Sequence, residues 1–324
     1  MRVSLVCTVL NEEDSVNSLL DSILAQSRQP DEVVIVDGGS RDRTVERLRP
    51  YQDRLSLKIA IDPGCNISQG RNRAIRAATG DIIVSTDAGV VLDPRWVEEL
   101  IAPFGRKPGP AVACGFFVAD PRTPFEIALG AAVLPNLEEI DPARFLPSSR
   151  SVAFTREAWK AVGGYPEWLD YCEDLVFDMK LRKAGPLFAW APGAIVHFRP
   201  RSSLAAFFRQ YYHYARGDGK ADLWRKRHAI RYASHLLGFV FVIAGWRHPW
   251  VWLLLMAVAA AYSYRPYLRL MPHLGKLSTT QRLSAILWIP LIRLTGDFAK
   301  MIGYPAGVRW RRGHRDKIEA RGTY

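Results

Sequence analysis

The chain of 324 residues has only four cysteines, and they lie far apart in the sequence. No Cys-x-x-Cys pair occurs among Cys7, Cys65, Cys114 and Cys172. The spacing indicates neither a zinc ribbon nor a disulfide framework, and isolated thiols are typical of a reducing compartment. A chain that is 48% hydrophobic is stabilised by a core, and this length suits one large domain or two small ones.

The second part of the chain has few acidic residues. Residues 199–324 carry 22 lysines and arginines but only 5 aspartates and glutamates, a net charge of +17. Residues 1–198 carry 22 and 27, a net charge of −5. This difference indicates an anionic partner for the second part, either nucleic acid or an anionic membrane surface. A solvated basic tail is the alternative, although apolar segments interleave with these charges.

The sequence also lacks a long uninterrupted apolar run. The runs at 236–246 and 249–264 are each shorter than the ~20 residues that a membrane-spanning helix needs. Aromatic residues resembling an interfacial belt flank them: Trp246, Trp250, Trp252, Tyr262 and Tyr264. We therefore predict a transmembrane or re-entrant hairpin at about 229–264, which favours a membrane over nucleic acid as the partner. Two buried core helices are the alternative.

A third apolar segment, residues 283–304, contains several ionisable side chains and is predicted to be an amphipathic helix lying in the membrane interface. The flanks at 265–282 and 309–321 are basic. The positive-inside rule therefore predicts that both flanks lie on the cytoplasmic side of the membrane. We therefore expect a domain at 1–219 on the cytoplasmic face of the cell membrane, followed by a basic, membrane-associated helical region at 220–324.

The first 120 residues alternate between strand-like apolar segments and amphipathic helices. Strands are predicted at 2–9, 31–37, 55–61 and 81–87, and helices at 12–26, 40–48, 67–78 and 93–104. This alternation predicts an α/β fold whose mostly parallel sheet is covered on both faces. Ligands of such sheets bind at the carboxyl ends of the strands, which brings Thr8, Asn11, Asp37 and Asp87 to one rim.

Residues 110–198 are less regular. Proline and polar residues interrupt 118–150. A strand at 150–155 and helices at 156–161 and 172–185 follow, and two short strands are predicted near 187–190 and 194–198.

Four segments then occur in a characteristic order. They are TVLNEE (8–13), VVIVDGGSRDRT (33–44), GRNRAIRAATGDIIVSTDAG (70–89) and GGYPEWLDYCEDLVFDMKLRKAG (163–185). Together they resemble the family 2 glycosyltransferases over about residues 3–219. The resemblance implies the GT-A fold, a Rossmann-like sheet flanked by helices. It also implies transfer of a sugar, with inversion, from a nucleotide-sugar donor to an acceptor.

The resemblance also implies donor-binding residues. Thr8, Asn11 and Glu12 end the first strand, where the base and ribose would bind. Asp37 would accept a hydrogen bond from a base N–H, with a turn-forming role before two glycines as the alternative. Arg71 opens a helix, where a guanidinium and the helix N-terminus can bind a diphosphate.

Members of the family usually have an Asp-x-Asp motif, which holds Mg²⁺ or Mn²⁺ against the diphosphate. This chain has Asp87-Ala88-Gly89 at that position, so the last acid of the motif is missing. Asp87 with the diphosphate could still hold Mg²⁺, which needs only one or two carboxylates beside phosphates and waters. His197 would be a further metal ligand, or a hydrogen-bonding histidine at a strand end. A metal-free site in which arginines neutralise the diphosphate is the other alternative.

Glu173-Asp174 matches the family's Glu-Asp pair and begins a helix, where carboxylates are favourable. The reaction needs a base that removes the acceptor's proton, and the resemblance assigns it to Asp174, with Glu173 as the second candidate or as an orienting group. Helix capping alone is the other explanation of this pair.

The segment FFRQYYHYARGDG (207–219) resembles one that covers the donor diphosphate in membrane-attached members, and its candidates are Arg209, Gln210 and Arg216. A basic amphipathic surface helix is the alternative. The hypothesis is a membrane-attached glycosyltransferase with a lipid-linked or glycan acceptor. A scaffold that binds nucleotide-sugars without turning them over is the rival. A nucleotidyltransferase is disfavoured because no glycine-rich loop follows the first strand.

Overall fold

The computed structural model describes residues 1–185 and 187–314. The described chain divides into two units. The first comprises Met1–Asp120 and Leu137–Arg199, and the second comprises Pro121–Asn136 and the described residues from Pro200 onward. The domain boundary expected at 219 stays a prediction, and part of the basic flank at 309–321 lies outside the described residues.

The first unit is built on an eight-stranded mixed sheet with the order β3-β2-β1-β4-β7-β6-β8-β5. The strands are β1 (Val3–Val9), β2 (Glu32–Asp37), β3 (Leu57–Ile61), β4 (Ile82–Ser85), β5 (Val90–Leu92), β6 (Val112–Ala119), β7 (Val152–Thr155) and β8 (Phe188–Phe198). The helices are α1 (Val16–Leu24), α2 (Thr44–Leu48), α3 (Ile67–Ala77), α4 (Trp96–Ile101), α6 (Arg156–Ala161) and α7 (Glu173–Ala184). Short 3₁₀ turns occupy Arg49–Tyr51, Ala102–Gly105 and Leu137–Glu139.

Strands β1 to β4 are parallel, as the alternating pattern predicts. Side chains of β1 alternate between two hydrophobic clusters, with Leu5 in one and Val6 in the other. The sheet is therefore covered on both faces, which is why the apolar runs of β2 and β4 are continuous. The predicted mostly parallel sheet flanked by helices is confirmed, and antiparallel pairs are added where β7 meets β4 and β6, and where β5 meets β8.

The two short strands predicted near 187–190 and 194–198 are instead the single strand β8. Its register against β6 shifts where Cys114 pairs with Trp190 and Phe116 pairs with Ile195. The extra residues of β8, which include Pro192 and Gly193, lie in this irregularity. A proline and a glycine that predict a break are therefore accommodated within one strand.

The second unit is helical. It contains α5 (Pro124–Val133), α8 (Leu204–Lys220), α9 (Arg225–Gly245), α10 (Trp250–Leu274) and α11 (Thr279–Arg312). Helices α8 and α11 pack with their backbones close together because small residues line the contact. A Cβ atom added at Gly303 would clash with the carbonyl oxygen of Tyr212, and one at Gly307 would clash with that of Arg216. The predicted interfacial helix is thus part of a longer helix with one buried face.

The predicted hairpin corresponds to α9 and α10. Apolar side chains on both are exposed, including Leu236, Phe239, Leu253 and Met256, so the alternative of two buried core helices is wrong. Within the described ranges, α9 alone is long and apolar enough to cross a membrane, judged by length and composition. A membrane-embedded hairpin stays a prediction.

Candidate functional site

The predicted site residue Arg71 lies at the centre of a buried ion-pair network. It sits on α3, which begins with a capping box between Asn66 and Gln69. Its Nη2 donates to Oδ1 of Asp87 at 2.7 Å, and its Nη1 donates to Oε1 of Glu173 at 2.6 Å. The Arg71 side chain is only 2% exposed. The structure therefore joins the end of β4 to the start of α7 through one guanidinium.

Asp87 accepts hydrogen bonds on both carboxylate oxygens. Its Oδ2 faces Nε of Arg150 at 3.4 Å, on the side opposite Arg71. Burial alone would raise the pKa of Asp87, but Arg71 and Arg150 outweigh it and hold that pKa below its ordinary value. Asp87 is consequently an anion fixed between two guanidinium groups.

Arg150 is a site residue that the sequence did not predict. It precedes β7, which pairs antiparallel with β4 so that Ser85 lies opposite Val152. Continuing that register by two residues brings Arg150 beside Asp87. Its guanidinium also lies 4.5 Å from the centre of the Phe198 ring. No sequence pattern signals this contact, because it depends on an antiparallel pairing that follows the irregular segment 118–150.

The two acids at the start of α7 have different environments. Glu173 is buried against Arg71, and burial together with Asp174 raises the pKa of Glu173 to about 7. Asp174 is partly exposed, and its Oδ1 accepts a hydrogen bond from the backbone N–H of Leu175 at 2.8 Å. One helical turn on, Asp178 is buried, and burial and Asp174 raise its pKa well above the ordinary value. Of this group, Asp174 is the carboxylate that solvent or an acceptor can reach.

The residues predicted to bind the nucleoside lie at the ends of β1 and β2 and in the loop after β1, which is hydrogen-bonded to the loop after β2. The Asp37 Oδ1 accepts from the backbone N–H groups of Gly39 and Ser40 at 2.9 Å each, so the turn-forming role is present. Asn11 has a positive φ of 55°, and its Oδ1 accepts from the N–H of Arg41 at 2.9 Å. The contact of Asp37 with a base stays a prediction.

Two further predicted residues complete this rim. The N–H of Glu12 donates to Oγ1 of Thr44 at 2.7 Å. Thr8 packs against the start of α3 so closely that a Cβ at Gly70 would be 2.7 Å from its Cγ2. The structure therefore brings the end of β1 next to the helix that carries Arg71.

The metal site suggested by Asp87 and His197 does not fit the donor atoms. Side chains alternate along β8, and Phe198 faces Arg150, so His197 points to the opposite face of the strand. Among residues 1–185 and 187–314, no group of three or more His, Cys, Asp or Glu side chains could hold a metal ion. Both oxygens of Asp87 already accept from guanidinium groups. Metal binding stays a prediction that these contacts do not support.

Gly89, which replaces the second acid of the motif, is exposed. A Cβ added there would meet nothing within 4 Å, and its φ is not in the left-handed region. A Cβ is therefore accommodated at this position without a clash.

The remaining candidates, Arg209, Gln210 and Arg216, lie on α8 in the second unit. Arg209 is exposed, and Nε2 of Gln210 donates to the hydroxyl of Tyr214 at 2.8 Å. Their contact with a donor diphosphate stays a prediction.

Comparison with known proteins matches this chain to a family and to several relatives. The family described as "Glycosyl transferase family 2" matches residues 4–152. The succinoglycan biosynthesis protein ExoA of Rhizobium meliloti is 30% identical over 234 residues, which are 67% of this chain and 68% of ExoA. The glucosyl-dolichyl phosphate glucuronosyltransferase of Haloferax volcanii is 27% identical over 176 residues, which are 51% of this chain and 56% of that protein.

Other relatives are much longer than the part they share with this chain, and three are matched over only 28%, 23% and 9% of their own length. Among solved structures, the mannosyltransferase PcManGT from Pyrobaculum calidifontis, in complex with GDP-Man and Mn²⁺, aligns with a TM-score of 0.56. It is 20% identical, and the alignment covers 93% of this chain and 87% of PcManGT. The similarity confirms the predicted fold.

Proposed function

This chain belongs to glycosyltransferase family 2, and we propose that it transfers a sugar from a nucleoside diphosphate sugar to an acceptor, with inversion at the anomeric carbon. The network on Arg71 carries this proposal, because it links the donor-side carboxylate Asp87 to the acid pair at the start of α7. Sugar transfer needs the donor-binding residues and the general base on neighbouring structural elements.

The donor is proposed to bind along the rim formed after β1 and β2. Its base and ribose would contact Thr8, Asn11, Glu12 and Asp37, whose loops are held together by hydrogen bonds. PcManGT, which shares the fold, is named as a complex with a guanosine diphosphate sugar. A screen of UDP- and GDP-sugars decides which base this chain binds.

The leaving diphosphate is proposed to be stabilised by guanidinium groups. Arg71 and Arg150 balance the charges of Asp87 and Glu173 when both acids are ionised. Further positive charge would come from Arg209 and Arg216 on α8. Fixed cations aimed at charge that develops during the reaction are an effective form of catalysis.

Asp174 is proposed to be the general base. Its carboxylate is partly exposed, whereas that of Glu173 is occupied by Arg71. A base must reach the proton that it removes, so accessibility favours Asp174. Glu173 then holds Arg71 in place and orients the start of α7.

The acceptor is proposed to be lipid-linked, and the enzyme to act at the cytoplasmic face of the cell membrane. The exposed apolar side chains of α9 and α10 and the charge of +17 over residues 199–324 support this location. The relative from Haloferax volcanii is named for a sugar carried on dolichyl phosphate. The inference for this chain rests on these surface properties.

Turnover of the donor is expected to be insensitive to EDTA, because both carboxylate oxygens of Asp87 already accept hydrogen bonds from Arg71 and Arg150. The assay is release of nucleoside diphosphate from a donor by the full chain in detergent, with water as the acceptor. Gly89→Asp restores the second acid at a position with room for it, and this variant is expected to gain a rate increase from Mn²⁺. A wild-type enzyme that EDTA inactivates and Mn²⁺ restores would contradict this expectation.

A further inference from the structure

The helical unit contains a group of charged side chains to which the proposed reaction assigns no role. We call it the cationic cluster: Arg231 on α9, with Arg293 and Lys300 on α11, around Asp297. The Nε of Arg231 donates to Oδ1 of Asp297 at 2.9 Å. The hydroxyl of Tyr262 on α10 donates to Oδ2 of Asp297 at 2.5 Å. The single carboxylate of the cluster is thus already shared by two donors.

The other two cations have no carboxylate within ion-pair distance in the described part of the chain. The guanidinium of Arg293 lies 4.0 Å from the centre of the Tyr262 ring, and its Nε is buried without a hydrogen-bond partner. The ammonium of Lys300 lies 4.8 Å from the centre of the Tyr211 ring. Three cations therefore surround one carboxylate, and a positive charge is left uncompensated.

Neighbouring titratable groups offset this charge only in part, through the negative charges of Asp297 and Asp218 near Lys300. Asp218 faces Nε2 of His228 at 3.1 Å. His235 lies 3.7 Å from Oδ2 of Asp297 and can only add positive charge. Burial and the nearby Arg231 lower the pKa of Lys300 to about 8. This direction is the one expected for an ammonium surrounded by like charges, and a bound anion would reverse it.

Partly buried cations without counter-ions are costly, and proteins retain them where they bind something. Guanidinium groups match the geometry of phosphate oxygens, and an ammonium adds a compact positive charge. The surface next to the cluster is apolar: Leu236 follows His235 on α9, and Phe298 and Ile302 on α11 are exposed. A ligand that matches this surface would combine an anionic head with an apolar tail.

We propose that the cationic cluster binds the phosphate or diphosphate head of a lipid, with Arg293 and Lys300 as its contacts. This proposal rests on the function proposed above, because it identifies the anchored end of a lipid-linked acceptor. The cluster would hold such an acceptor by its phosphate.

The test measures lipid binding without any transfer reaction. The full chain, purified in an uncharged detergent, is titrated with farnesyl phosphate, farnesol and inorganic phosphate, and separately with phosphatidylcholine nanodiscs with or without phosphatidylglycerol. Farnesyl phosphate is expected to bind and farnesol is not. Arg293→Gln and Lys300→Gln are each expected to weaken binding by at least about tenfold, the loss typical of a charge-assisted hydrogen bond. Arg282→Gln, an exposed arginine on the same helix, is the matched control and is expected to bind as wild type does.

The outcomes separate the sources of the phosphate. If wild type binds farnesyl phosphate more tightly than phosphatidylglycerol, the site is assigned to an isoprenoid carrier. If the variants weaken the binding of both lipids equally, the site is assigned to phospholipid head groups. Equal binding of farnesol, equal binding of inorganic phosphate, or variants that bind like wild type would overturn the proposal.

Donor hydrolysis is measured on the same samples, so that the two proposals fail separately. Wild-type protein that binds farnesyl phosphate but hydrolyses no donor would count against the proposed transferase alone. If the protein hydrolyses a donor but Arg293→Gln and Lys300→Gln bind the lipid as wild type does, the result would count against this inference alone.

Discussion

Replacement of Asp174 by asparagine is expected to lower the rate of sugar transfer by about 10²- to 10⁴-fold, the range that a positioned general base contributes. Asparagine has nearly the same shape and can keep the hydrogen bond that Asp174 accepts from Leu175. It cannot take up a proton. Donor affinity is therefore expected to be unchanged while kcat falls. The measurement is kcat with a matched acceptor, together with Kd for the donor.

The control for this variant is Glu157→Gln, which removes a carboxylate from the exposed first turn of α6. It is expected to have wild-type kcat. A loss of less than about tenfold in Asp174→Asn would contradict the assignment of the base. Such a result, combined with loss of transfer in Arg293→Gln, would indicate that a phosphate oxygen is itself the acceptor, because that oxygen is already ionised.

Replacement of Arg71 by glutamine is expected to lower the free energy of unfolding by about 3–5 kcal/mol, the cost of removing one partner from a buried ion pair. The substitution leaves Asp87 and Glu173 without the cation that both contact. Because Arg71 and Arg150 hold the pKa of Asp87 below its ordinary value, the part that Asp87 contributes is full at neutral pH, whereas Glu173, whose pKa is raised to about 7, is only partly ionised there. The part that Asp87 contributes is lost in acid as the pH falls through the pKa of Asp87 and the carboxyl takes up a proton.

The matched control for this second variant lies two residues away. Arg73 is exposed and pairs with Asp62, so Arg73→Gln is expected to cost no more than about 1 kcal/mol. Chemical denaturation of the full chain in detergent measures both variants. Adding Glu173→Gln to Arg71→Gln is expected to recover part of the loss, because it removes the buried carboxyl that loses its ion-pair partner, whereas Asp87 keeps Arg150. Equal denaturation midpoints for Arg71→Gln and Arg73→Gln would contradict the role of Arg71 as the cation that stabilises Asp87 and Glu173.

Much of the first unit could be predicted because its signals are local. Continuous apolar runs identify β1, β2 and β4, and the rule that ligands bind at the carboxyl ends of strands brings Asp87 to the rim. Arg71 and Glu173 are 102 positions apart, yet their ion pair unites two segments that the sequence had already singled out. Asp37 was left with two roles, and its hydrogen bonds within the turn establish one of them.

Other features depend on tertiary pairing and have no local signal. Arg150 reaches Asp87 only because β7 pairs antiparallel with β4. The single strand β8 overrides the breaking tendency of Pro192 and Gly193 through its pairing with β6. In the second unit, the ionisable residues of α11 were visible as interruptions of an apolar segment. Their partner Arg231 lies 66 residues from Asp297 and could not be inferred.

The central claim, that this chain turns over a nucleoside diphosphate sugar at the site around Arg71, is tested most directly by a donor screen. The full chain in detergent is titrated with UDP- and GDP-sugars, and release of nucleoside diphosphate is followed for wild type and Asp174→Asn. The account predicts that one donor binds both proteins and that wild type alone turns it over. A donor that binds without turnover in wild type would favour the nucleotide-sugar-binding scaffold, and failure of every donor to bind would contradict the account.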